Sequence, residues 1–224
     1  MKTVAFVPIK LNNQRTPGKN IRKFDDGTPL IMVFLRTLVK VKGIDKIYVF
    51  CSDESIKQYL IPGVSFLRRP EYLDTQQATP QDIISEFIKL IDADIYAVCH
   101  CTSPFVSAEH IEECIKAAKS AEYDSSFTGE KHQHLMWTFE NKPLNFEPSN
   151  IPRTQDLPVY FNEVSAAYVF KKEVFEKYHR RIGIKPYITE VSGVECVDID
   201  YPEDFDIANV IYMSIVKKRE DEVL

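Results

Sequence analysis

Apolar and polar positions along the chain follow two rhythms, and together they predict an α/β fold. The run from Val4 to Pro8 is continuously apolar and reads as a buried strand, followed by a polar loop up to Ile21. PLIMVFLRTLVKV then carries apolar residues at helical spacing, predicting a helix from about Pro29 to Lys42, with Gly43 just beyond its end. KIYVFCS predicts a second strand, Asp53 to Leu60 a short helix closed by Pro62 and Gly63, and VSFLRRP a third strand delivering Arg68 and Arg69 to a loop. TPQDIISEFIKLI is helical, with Thr79 as cap and Pro80 in the first turn. DIYAVCHCTSP is nearly all apolar, as expected of a strand buried on both faces, and ends on Thr102, Ser103 and Pro104. Ser107 caps the next helix, which runs to about Ala121.

From Asp124 to Pro158 the regular pattern breaks down, around Trp137 and the proline-rich NKPLNFEPSNIPRTQDLP. Too apolar for disorder, this stretch predicts an excursion from the sheet, an arm over about 125–165 that buries itself against a second subunit. Regularity returns with the strand YFNEVSAAYVFK, a helix around KEVFEKYH, a further strand segment through VDID and a last helix starting at Pro202; KKREDEVL reads as a solvated tail. Alternating strands and helices favour a mostly parallel sheet with helices on both faces, in one domain over residues 1–224.

The composition is that of an ordinary globular domain: 224 residues, 44% hydrophobic and 27% charged, with no apolar run approaching the roughly 20 residues needed to cross a membrane. MKTVAFVPIK reads as a first strand rather than a signal peptide. The five cysteines are odd in number and lie mostly in or beside apolar runs, which suits a reducing compartment, the cytoplasm. Cys99, His100 and Cys101 match no zinc spacing. A net charge of −5 argues against a nucleic-acid coat, so any polyanion must be met by local charge.

That charge is concentrated in Lys10, Arg15 and Lys19, held in one loop by Pro8, Pro17 and Gly18 and joined by Arg69; together they suit a triphosphate. In VDIDYPEDF, Asp198 and Asp200 alternate on a predicted strand and form a hard-oxygen site for Mg2+; a solvent-facing edge or capping of the last helix is the plainer account. RTQDLPVY carries Arg153 and Gln155 back to the sheet. No catalytic triad, P-loop or dinucleotide fingerprint is present in the sequence, so cations and a metal acting on a phosphoryl-type group fit better than covalent catalysis.

In this order, VPIKLNNQRTPGKNI, PLI, CSDESI, RRPEYL, CTSPF, RTQDLPVY, AAYVF and VDIDYPEDFDIA resemble the cytidylyltransferases that make CMP-activated acidic sugars, the CMP-sialic acid synthetase group. The resemblance implies a three-layer nucleotide-diphospho-sugar transferase fold, CTP as co-substrate with Mg2+, a homodimer, and attack of an acceptor oxygen on the α-phosphorus with loss of pyrophosphate. It implies that Arg15, Lys19 and Arg69 hold phosphates, that Asn20, Thr102 and Ser103 line the nucleotide site, and that Asp198 and Asp200 bind the metal; Lys10 and Asn12 are nucleotide-site candidates from the loop's own charge and amides, where the chain departs from the family. Lys19, Arg15 and Asp200 become the catalytic candidates. Where the family has an Ala-Arg-Gly-Gly-Ser run, this chain has Ile9 to Asn13; His100 replaces a glutamine, and Val164 and Ser165 replace an Asn-Gly pair. His100 and Val164 stand at positions that face the acceptor sugar in the family, which implies an acceptor other than ordinary sialic acid; His100, Arg153, Gln155 and Ser165 are the acceptor-binding candidates. A phosphorylated or phosphonate acceptor, or a non-catalytic nucleotide-binding relative, are the alternatives. A glycosyltransferase ranks last, because Asp92 and Asp94 precede their strand.

Overall fold

A computed structural model describes residues 1–13 and 15–219. Seven strands form a mixed sheet in the order β3-β2-β1-β4-β6-β5-β7. β1 (Thr3–Ile9), β2 (Lys46–Cys51), β3 (Val64–Arg68) and β4 (Ile95–Cys99) run parallel. β6 (Tyr160–Lys171) is antiparallel to β4 and to β5 (Ser125–His132), and β5 is parallel to β7 (Pro186–Val191).

Period-two alternation sends the two faces of each central strand into different cores. Ala5, Val7 and Ile9 of β1 and Ile95, Ala97 and Cys99 of β4 pack with Phe34 and Leu38 of α1 (Leu30–Leu38) and with Ile111 and Ile115 of α3 (Ala108–Lys119). On the other face Val4, Phe6, Tyr96 and Val98 meet Phe87 of α2 (Pro80–Leu90) and Phe175 of α4 (Lys172–Tyr178), with Phe6 and Phe87 stacked at 3.8 Å. A third cluster joins Phe24, Phe105 and Ile199 to Phe205 and Ala208 of α5 (Pro202–Ile211), and so ties the end of the chain to its first loop. α2 begins with a full capping box between Thr79 and Asp82. Thr79→Ala should cost about 1 kcal/mol in chemical denaturation.

Two expectations are corrected. The irregular stretch starts at Gln133 and ends before Tyr160, because Ser125–His132 is a sheet strand. Its pattern hides in SSFTGEKH because Ser125, Ser126 and Thr128 are buried polar residues; Ser126 Oγ donates to the Cys114 carbonyl at 2.6 Å and Thr128 Oγ1 to the Val164 carbonyl at 2.6 Å. The segment holding Asp198 and Asp200 is extended but lies outside the sheet, anchored by Ile199 N donating to the Thr102 carbonyl at 2.8 Å. Residues 217–219 continue the last helix, and the rest of the expected tail lies outside the described residues.

Between β5 and β6 the chain folds on itself. Trp137 bridges to Pro143 around a turn at Asn141, whose φ is 60°, and Trp137 meets Phe146 edge-on at 5.3 Å. It leaves Phe139 almost wholly exposed, with Trp137, Leu144 and Ile151 more than half exposed. No helix among the described residues is long and apolar enough to cross a membrane.

Candidate active site

The carboxyl ends of β1 and β4 feed the two loops that build the site, as expected of an open α/β sheet. After β1 the chain turns through Gly18, which sits in the left-handed region at φ 65°, into the single helical turn Lys19–Ile21. Lys19 and Asn20 are buried there, whereas Arg15 and Asn12 are exposed. Asn20 Nδ2 donates to the Lys10 carbonyl at 2.8 Å, and Asn20 Oδ1 accepts a contact from Cys101 Sγ at 3.4 Å. Asn20 is thus a brace between the two loops, and it fixes where Lys10 and Lys19 stand.

Arg15 and Lys19 converge on Asp200, 185 and 181 residues away in sequence. Arg15 Nη1 is 2.8 Å from one oxygen of that carboxylate and Lys19 Nζ is 3.0 Å from the other. Lys19 Nζ also donates to the Ile199 carbonyl at 2.6 Å, and Thr16 Oγ1 to the Asp200 carbonyl at 2.9 Å. Ile199 is fully buried, Asp198 is exposed and Asp200 lies between them in exposure, so the two carboxylates turn away from the core on either side of it. Asp200 does not cap α5; the Asp204 carboxylate does, accepting from Asp200 N and Tyr201 N at 2.9 and 2.8 Å. Buried Ser103 reaches Asp198 at 3.5 Å, and the Thr102 carbonyl holds Ile199, so the β4 loop lies directly against this segment.

Mg2+ prefers oxygen donors and is commonly held by one or two carboxylates together with substrate phosphates. Asp198 and Asp200 could supply such carboxylates; no group of three or more His, Cys, Asp or Glu suited to a metal occurs among the described residues. The residues fit Mg2+ carried with a nucleotide better than a metal caged by protein alone.

Arg69 stands apart from these cations. It is 2% exposed and ion-paired to Asp74, which also accepts from Ser52 Oγ. Its charge is already answered, but its Nε is buried without a partner. In front of Asp74 and Ser52 lies a cavity of about 600 Å³, lined also by Leu11, Asn12, Asp53 and Glu71. A larger cavity, about 1330 Å³, opens beside α1 and α3 and contains none of the expected site residues.

His100 lies where β4 meets β6, against Ala166, the neighbour of Ser165. His100 N donates to the Ala166 carbonyl at 3.1 Å, and the His100 ring stands edge-on to Tyr168 at 6.2 Å. Burial, and then the nearby charges of Arg181 and Lys19, push the His100 imidazole down to about 4, so it is neutral at pH 7. Its Nε2 is buried and unpartnered. Burial raises the Tyr168 phenol to about 12, and its hydroxyl donates to Glu163 Oε2 at 2.8 Å. Arg153 and Gln155 are not brought here. Arg153 precedes and Gln155 lies in the exposed turn Thr154–Asp156, engaged with Asp156 and Gln133 respectively. Asp92 and Asp94 sit at the amino end of β4, held by Lys172 and Lys2, away from both loops. Sequence reasoning missed Asp74, Glu163, Tyr168 and Arg181; only the RRP and AAYVF motifs pointed near them.

Comparison with known proteins agrees with this fold. A solved structure titled CMP:2-keto-3-deoxy-manno-octonic acid synthetase complexed with CTP shares the fold, with a TM-score of 0.71 at 17% identity over 95% of this chain and 99% of that one. A 4-diphosphocytidyl-2C-methyl-D-erythritol synthase from Anaerococcus prevotii gives 0.69 at 16% identity, over 95% and 96%. The chain is 27% identical to the N-acylneuraminate cytidylyltransferase of Oncorhynchus mykiss, over 91% of this chain and 49% of that protein. It is 30% identical to 3-deoxy-manno-octulosonate cytidylyltransferase 2 of Hydrogenovibrio crunogenus, over 70% and 68%. It thus spans about half the length of the N-acylneuraminate relatives it matches. The cytidylyltransferase family model matches residues 4–220, and the chain belongs to that family.

Proposed function

We propose that the chain transfers CMP from CTP to an acidic sugar or related 2-keto acid, with release of pyrophosphate. One observation carries this: two cations from the first loop and two carboxylates from the far end of the chain meet beside the β4 loop, at the sheet edge where α/β proteins bind nucleotides. An acceptor hydroxyl attacks the α-phosphorus, the bond to the β-phosphate oxygen breaks, pyrophosphate leaves with the electron pair, and the hydroxyl proton goes to solvent. Lys19 and Arg15 bind the phosphates and stabilise charge on the departing pyrophosphate, and Lys10 adds to the cradle. Asp198 and Asp200 would hold Mg2+, which neutralises phosphate charge when bound. Thr102 and Ser103 would line the nucleotide site beside them.

Arg69 takes a different part from the one its charge suggests. Buried behind Asp74, it positions that carboxylate at the neighbouring cavity, whose carboxylates suit the amino group that distinguishes cytosine from uracil. Asn12 lines the same cavity. The apolar residues of the arm support a homodimer, since exposed patches of this kind mark protein interfaces. Arg153 and Gln155, on that arm, would then reach an acceptor only within the dimer. The unpaired cysteines support a cytoplasmic location.

Pyrophosphate release with each nucleoside triphosphate, with and without Mg2+, tests the assignment against a panel of sugar acids. CTP should be preferred and Mg2+ required. Release that does not distinguish CTP from UTP would refute the base assignment, and no release with any acceptor would refute the activity.

A further inference from the structure

Arg181 has no part in the nucleotide half of the site, yet it is the most distinctively held cation of the other half. Its guanidinium lies over the Tyr168 ring, 3.4 Å from the centroid, and its side chain is 24% exposed. Tyr168 is itself 1% exposed and anchored through its hydroxyl to Glu163. The ring therefore fixes the plane of the guanidinium, as stacked arginines require.

Its counter-ion is weak by comparison with those of the other site arginines. Glu163 Oε2 is 3.8 Å from Arg181 Nη2, beyond hydrogen-bond distance, and the same oxygen already accepts from Tyr168. Arg15 has a carboxylate oxygen at 2.8 Å, and Arg69 is ion-paired with Asp74. No hydrogen bond to the Arg181 side chain is present among the described residues, although a guanidinium carries five N–H donors. Beside it stands His100, with its buried Nε2 also lacking a partner. His100 and Arg181 both stand against the Tyr168 ring, and Cys101, next to His100, touches Asn20 beside Lys19, so the β4 loop links the phosphate-binding end of the site to this second cation.

We propose that Arg181 determines acceptor specificity: its guanidinium, held flat on Tyr168, takes the carboxylate of the acceptor, while His100 Nε2 makes a hydrogen bond to an uncharged polar atom beside it. An acceptor spanning from Asp200 to Arg181 passes His100, and its carboxylate replaces Glu163 as the partner of the guanidinium. The assignment rests on cytidylyl transfer only for the name acceptor. Recognition of a carboxylate at Arg181 can be measured without turnover.

The test uses the full chain as wild type, Arg181→Met and Arg181→Lys, each checked by thermal melting. Titration calorimetry compares 3-deoxy-manno-octulosonate and N-acetylneuraminate with their methyl esters, and CTP is titrated separately. Wild type should bind at least one acid about ten- to a hundred-fold more tightly than its ester, the range of an arginine–carboxylate hydrogen bond. Arg181→Met should abolish that preference, Arg181→Lys should restore part of it, and CTP affinity should stay within about two-fold, because the variant leaves the phosphate cations in place. Absence of an acid-over-ester preference in wild type, its survival in Arg181→Met, or an equal loss of CTP affinity would overturn the proposal. A preference that depends on Arg181, found together with no CMP-containing product in the presence of CTP and Mg2+, would uphold this inference and refute cytidylyl transfer.

Discussion

Asp200→Asn is expected to lower kcat by about a hundred- to a thousand-fold, the range seen when one charge-stabilising group is removed from a transition state. The carboxylate joins the two ends of the chain: Arg15 and Lys19 both reach it, and its backbone carbonyl accepts from Thr16. Asparagine keeps the shape and the backbone contacts, but it removes the charge that orients the two cations and is to share the metal. Lys19 retains the Ile199 carbonyl and Ile199 retains its packing, so the variant should melt within a few degrees of wild type. Loss of rate with an intact fold identifies a role in chemistry. A kcat near that of wild type at saturating Mg2+ would refute the metal and positioning roles together.

Asp74→Ala should destabilise the protein by about 3–5 kcal/mol, as expected when one partner of a buried ion pair is removed and the other charge stays unpaired. Arg69 is 2% exposed and Asp74 is its ion-pair partner, so the guanidinium cannot turn to water for compensation. Denaturant titration at neutral pH should move to a lower midpoint with an unchanged slope. The double variant Arg69→Met with Asp74→Leu removes both charges and should recover most of the loss, because the pair offsets its own desolvation rather than adding net stability. That recovered protein should still bind CTP poorly if the Asp74 carboxylate, positioned by Arg69, reads the base. CTP affinity equal to wild type in the double variant would show the pair to be structural only.

Much of the fold was legible because β1 and β4 are buried on both faces and α1, α2 and α3 carry apolar residues at helical spacing. β5 was not, since one of its buried faces is made of Ser126 and Thr128, whose hydroxyls are satisfied by carbonyls no sequence pattern reveals. The antiparallel course of β6 was equally hidden, because YFNEVSAAYVFK reads the same in either direction. In the site, Lys19, Arg15 and Asp200 were visible as charges in constrained segments, and their meeting follows from the third core cluster that packs Ile199 and α5 against the first loop. The charge of Arg69 suggested a phosphate contact; its burial with Asp74 argues otherwise. Arg181 sits after α4 in a basic HRR run that looks like a solvated helix end, and only the tertiary contact with Tyr168 sets it apart.

The most direct measurement is phosphorus NMR of the purified protein with CTP, Mg2+ and a sugar acid. The account predicts that the triphosphate resonances are replaced, in equal amounts, by those of a CMP phosphodiester and pyrophosphate, with no such conversion for Asp200→Asn over the same time. Hydrolysis of CTP to CDP and phosphate, or an unchanged spectrum with every sugar acid tried, would contradict it.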